Sequence, residues 1–114
     1  AVPMVQEVSR YAEIEVVLAA LNSAGKSMHK TGTRAEMEQG LERCHAAGQG
    51  VYIMKPFARG RLIDDEAKDE QLAADQVEPA LAYLYALPFV DAVIPGMRTV
   101  QQVQQCAEIA ERIG

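Results

Sequence analysis

The sequence predicts an α/β chain in which parallel strands alternate with helices, and three observations carry that reading. Three short runs rich in Val, Ile, Leu and Ala begin at residues 14, 50 and 91: Ile14 to Leu21 (IEVVLAAL), Gly50 to Lys55 (GVYIMK) and Asp91 to Gly96 (DAVIPG). Helical patterns with their own start and stop signals separate and follow them. None of the runs alternates polar with apolar residues, the pattern of parallel strands buried on both faces. Strands joined by helices of this length imply right-handed crossovers. The spacing fits a (β/α) barrel or a doubly wound sheet. A complete eight-stranded barrel needs roughly 200 residues or more, so 114 residues hold fewer than half its strands.

Each helix has a local reason. A short one begins near Pro3, with Val5, Val8 and Tyr11 facing inward. Thr33 and Glu36 have capping-box spacing, Met37, Leu41 and Cys44 recur at helical intervals, and Gly48 stops the segment. Pro79 suits the first turn of the next helix, which carries Leu81, Leu84 and Tyr85 and ends at Pro88. Thr99 and Gln102 form a second capping-box pair, ahead of a stripe of Val103, Cys106, Ala107, Ala110 and Ile113.

Composition bounds the function classes. With 49% apolar and 24% charged residues, the chain reads as one globular domain spanning 1–114. Its net charge of -5 argues against nucleic acid, which requires a basic surface. No apolar run reaches the roughly 18 residues of a membrane helix. The N-terminus is not a signal peptide. Cys44 and Cys106 lie far apart, in no metal-ligand spacing, which suits a reduced, cytoplasmic setting. From Asp64 to Glu78 the chain carries seven acids and one base, read as a solvated face.

Against that acidity, the stretch from Lys55 to Leu62 holds three bases and no acid, directly after a strand. Ligands of α/β folds bind at the C-terminal ends of strands. The third run leads into Gly96, Met97 and Arg98 and then the Thr99-capped helix. Gly96 permits close backbone approach, the first amides of the helix favour an anion, and Arg98 can pair with phosphate. Two such turns side by side suggest a phosphate-bearing ligand. The other candidates read as structural. His29 lies in a polar loop, Tyr52 packs within a strand, and Tyr83 and Tyr85 sit on a helix. Cys44 and His45 are neighbours that point about 100° apart, so they form no nucleophile pair.

The stretches GVYIMKPFARGRL and ALAYLYALPFVDAVIPGMRTVQQVQQ together resemble the seventh and eighth strand regions of the aldo-keto reductases, and IEVVLAALN looks like the sixth. The resemblance covers about Ile14 to Ile113. It implies a partial (β/α) barrel, a half-barrel of the TIM type with about three parallel strands and four helices. Three strands alone leave two unpaired sheet edges and an uncovered face, so completion by self-association is expected, most simply as a homodimer. The resemblance further implies part of an NADP(H) site. Lys55, Pro56, Arg59, Gly60 and Arg61 would line the pyrophosphate, Gly96 would let the backbone approach the cofactor closely, and Arg98 would meet the ribose phosphate, favouring NADP over NAD. Gln102 and Gln105 would border the adenosine. Phe57-Ala58-Arg59 stands where the family has Leu-Gly-Gly, Cys106 where it has Asn, and Leu18 where it has Gln, so NADP binding is expected to be weak or absent. The family's catalytic residues precede this stretch, so no catalytic residue is assigned. The chain is expected to be an oxidoreductase fragment inactive alone, or else a self-associating structural module without ligand or catalysis.

Overall fold

The computed structural model describes residues 2–25, 32–57 and 74–113. The element order is α1 (Val2–Val8), β1 (Val16–Ala20), α2 (Arg34–Ala46), β2 (Gly50–Met54), α3 (Ala74–Tyr85), β3 (Ala92–Ile94) and α4 (Val100–Ile113). The strands form one parallel sheet in the order β1-β2-β3. Val17 aligns with Val51, and Ile53 aligns with Ala19 on one side and Val93 on the other. This is the expected α/β alternation of three parallel strands and four helices. Among the described residues the sheet is open rather than closed into a barrel.

The strands are shorter than the apolar runs because their ends find other partners. The Ile14 carbonyl accepts from the side chain of Gln49, ahead of β1. Asp91 opens β3 by two bonds to Val51: its N–H donates to the Val51 carbonyl at 2.9 Å, and its carboxylate accepts from the Val51 N–H at 2.8 Å. Pro95 then follows Ile94 with no N–H to extend the ladder.

The sheet buries one face, which corrects the expectation of burial on both. Val17, Ala19, Val51 and Ile53 form a cluster with Val2 and Val5 of α1, Met37, Leu41 and Cys44 of α2, and Leu84 of α3. On the opposite face Val16, Leu18, Tyr52 and Ile94 remain 50%, 53%, 40% and 49% exposed. Tyr52, expected to pack, lies on this open face. The runs are apolar on both sides, but the described helices cover only one.

The α2 helix follows its sequence signals closely. The Thr33 hydroxyl accepts from the Glu36 N–H at 3.2 Å, and the Glu36 carboxylate accepts from the Thr33 N–H at 3.1 Å, completing the capping box. Gly48, at a φ of 86°, ends the helix in the left-handed region. Its N–H reaches the His45 carbonyl while the Gln49 N–H reaches that of Cys44, a Schellman closure.

Two helices depart from expectation. α3 starts at Ala74, so Pro79 lies inside it rather than in its first turn. Buried Val77 pairs at helical spacing with Ala80, Leu81 and Leu84, drawing the helix past the proline, which sits exposed on the outer side. α4 buries Gln102, Cys106 and Ile109, with Ile113 packed alongside, while Val103 is 48% exposed and Ala107 is exposed. The stripe is rotated because Gln102 is held beneath the helix start. α3 and α4 share a second cluster with Phe57, and Val93 touches both clusters. Tyr11, expected to face inward behind α1, is 54% exposed.

Candidate functional site: the C-terminal edge of the sheet

β2 and β3 end in register at Met54 and Ile94, and each strand leads into a turn with a basic residue. In β2 that residue is Lys55, half-buried, at a φ of 59°. Pro56 and Phe57 follow it into the interior. β1 meets β2 at the same edge. The Leu21 N–H donates to the Met54 carbonyl at 3.4 Å, and fully buried Asn22 donates its side-chain amide to the Lys55 carbonyl at 3.2 Å.

After β3, Gly96 faces open space, since a Cβ there would meet nothing within 4 Å. Arg98 is exposed at the start of α4. Its backbone N–H donates to Gln102 Oε1 at 2.7 Å, and the Gln102 N–H donates to the Thr99 hydroxyl at 3.1 Å. The amides at 98 and 102 are therefore capped by the helix's own side chains. The glutamine arm of the Thr99 pair reaches Arg98, one residue ahead of the cap.

The structure thus brings Lys55, Gly96 and Arg98 to one edge. Pro56 is buried beneath it, and Gln102 is 2% exposed with its oxygen engaged in capping, so both serve the framework of the edge. Gln105 lies half-buried further along α4. Arg59, Gly60 and Arg61 lie outside the described residues, as do His29 and most of the acidic stretch. Sequence reasoning gave Asn22 no role at this edge; a buried amide one residue past a strand run is the signal that marks it.

Away from the edge, Cys44, Cys106 and Tyr83 are packed into the fold. Burial raises the thiol pKa values of Cys44 and Cys106. Cys44 is buried while His45 is exposed, so the two face apart. The Tyr83 hydroxyl donates to the Glu38 carboxylate, and Arg34 stacks over the Tyr83 ring at 5.4 Å, joining α2 to α3. Burial first, and then this bond to Glu38, raises the Tyr83 pKa well above its usual range. Among the described residues no group of three His, Cys, Asp or Glu side chains could hold a metal, and no helix is long and apolar enough to cross a membrane.

Two curated relatives are named acetaldehyde dehydrogenases. Acetaldehyde dehydrogenase of Pseudomonas sp. (strain CF600) is 30% identical over 112 residues, covering 90% of this chain. Acetaldehyde dehydrogenase 1 of Pseudomonas putida (strain W619) matches with the same identity and coverage. The chain spans 36% of the length of each. No protein-family model matches, and no solved structure matches significantly. These matches correct the resemblance to the aldo-keto reductases. With it fall the TIM barrel and the reading of the chain as a fragment of such a reductase. The alternative of a ligand-free structural module gains no better support. Basic turns after parallel strands recur in unrelated α/β proteins, so they do not by themselves single out one family.

Proposed function

We propose that the chain is one domain, residues 1–114, of a cytoplasmic oxidoreductase akin to the acetaldehyde dehydrogenases it matches. In this reading the C-terminal edge of its sheet holds the phosphate-bearing part of a nicotinamide dinucleotide. One observation carries the proposal: β2 and β3 end in register, and basic residues follow both, Lys55 and Arg98, in a chain of net charge -5. The open space beside Gly96 and the exposed Arg98 fit such a ligand. The name of the relatives supports an oxidoreductase, because a dehydrogenase must hand its hydride to an acceptor, and a bound nicotinamide supplies that chemistry. NAD serves this role as well as NADP. Arg98 favours NADP, since a guanidinium pairs with the additional ribose phosphate. Catalytic turnover would belong to the longer protein of which this chain matches 36%.

Fluorescence titration with NADPH and NADH tests this. Weak but saturable binding of both is expected, with Arg98→Ala weakening NADPH more than NADH. Equal loss for both would remove Arg98 from phosphate recognition, and no saturation by either would refute the cofactor site.

We further propose that a second copy covers the open sheet face. Burying the wet halves of Val16, Leu18, Tyr52 and Ile94 contributes about 1 kcal/mol per side chain, or on the order of 8 kcal/mol for a two-fold pair. Association itself costs at least about 4 kcal/mol, which leaves a pair of roughly millimolar strength from these side chains alone. Unpaired strand edges would add backbone bonds. Sedimentation across micromolar to millimolar concentrations is expected to show a dimer that Leu18→Glu dissociates. A monomer throughout that range would refute the pairing.

A further inference from the structure

Lys55 is the one residue other than glycine with positive φ among the described residues, at 59°. A side chain at Cβ opposes this conformation. The next residue is Pro56, and a position before proline favours extended backbone. The local sequence therefore opposes the turn on two counts, and something else must hold it. Asn22 is placed to do so. It is fully buried at the end of β1, and its amide donates to the Lys55 carbonyl at 3.2 Å across 33 residues of sequence. Pro56 and Phe57 are then buried, Phe57 in the cluster that α3 and α4 share, so the left-handed turn is where the chain leaves the sheet and Lys55 stays at its rim. Backbone held in a rare conformation marks a site whose geometry is maintained by its surroundings.

We propose that Asn22 is a positioning residue: by binding the Lys55 carbonyl it holds Lys55 left-handed, and so fixes where the Lys55 side chain meets an anionic ligand at the sheet edge. The ligand half of this statement rests on the dinucleotide reading above; the conformational half does not.

The test compares wild type, Asn22→Ser, Lys55→Ala and Lys55→Gly by two readouts. The first is the intraresidue amide-to-Hα nuclear Overhauser effect at Lys55, which is strong when φ is positive. The second is NADPH affinity. Asn22→Ser is expected to weaken that effect and to raise the NADPH Kd about fivefold, the scale of one hydrogen bond. Lys55→Ala should lose a similar factor, and a variant combining Asn22→Ser with Lys55→Ala should lose little more than either single one. A wild-type signal at Lys55 in Asn22→Ser would overturn the positioning role, whatever binds. Loss of the signal in Asn22→Ser, together with a wild type that binds no NADPH, would overturn the dinucleotide reading and leave the positioning role standing. Should Asn22→Ser fail to fold, the Lys55 pair decides. Glycine tolerates positive φ and alanine does not, so Lys55→Gly must melt above Lys55→Ala. The reverse order would overturn the proposal.

Discussion

Replacing Gln49 by Glu changes one atom type at the point that ties the N-terminal segment to the sheet. The Gln49 side-chain amide donates to the carbonyls of Val8, Tyr11 and Ile14 at 3.0, 3.2 and 3.0 Å, and the residue is 5% exposed. Its Oε1 has no hydrogen-bond partner among the described residues. A carboxylate of the same shape would set an acceptor against three acceptors. The folded protein must then keep the new carboxyl protonated, which raises its folded pKa above the unfolded value of about 4.3. A raised folded pKa means that stability is fully present below about pH 4.3 and falls as pH rises toward the folded value. At low pH the protonated acid still donates one bond, so Gln49→Glu should cost about 1 kcal/mol there. At pH 7 a carboxyl that stays protonated costs up to about 3.7 kcal/mol more, from 1.36 kcal/mol per pH unit above 4.3. The adjacent cavity of about 240 Å³, lined by Tyr11, Ile14 and Gln49 among others, can admit water and lower that ceiling. Urea unfolding of wild type and variant at pH 4 and pH 7 measures the difference. A destabilisation equal at the two pH values would refute the clamp.

Two leucines on opposite sides of the sheet region should respond unequally. Leu41→Ala, in the closed core, is expected to cost about 2–5 kcal/mol, and Leu18→Ala, on the open face, under about 1 kcal/mol; comparable losses in urea melts would contradict one-sided burial. Thr33→Ala removes the hydroxyl arm of the α2 capping box and should cost about 1 kcal/mol by the same assay, with no loss at all contradicting the cap. Cys44 and Cys106 are buried with raised thiol pKa values, so a disulfide reagent at pH 8 should label them only as fast as the chain opens. Rapid labelling of the native protein would place them at the surface.

Element order and the α2 caps were legible because they rest on local chemistry. Thr33, Glu36 and Gly48 act within a few residues of themselves, and parallel strands leave long apolar runs. The one-sided sheet was not legible in the same way. An apolar run such as IEVVLAAL states that both faces need cover, but it does not state what supplies it. Val77 and Gln102 show why helix detail was lost: tertiary burial pulled α3 past Pro79, and a buried capping glutamine turned α4 away from Val103. At the candidate site, Lys55, Gly96 and Arg98 could be placed from their position after strand runs. Asn22 and Gln49 could not, because each acts on backbone more than thirty residues away, a pairing that no local pattern encodes. The family resemblance misled because it rested on two short turn motifs after strands, a local pattern available to many α/β chains.

The most direct test of the cofactor edge is to titrate isotope-labelled protein with NADPH and follow its backbone amide resonances. Saturable shifts are expected at Asn22, Lys55 and residues 96–99, at the C-terminal ends of the strands. Shifts centred instead on Tyr11, Gln49 and the N-terminal ends, or no saturable shift at all, would contradict a cofactor site at that edge.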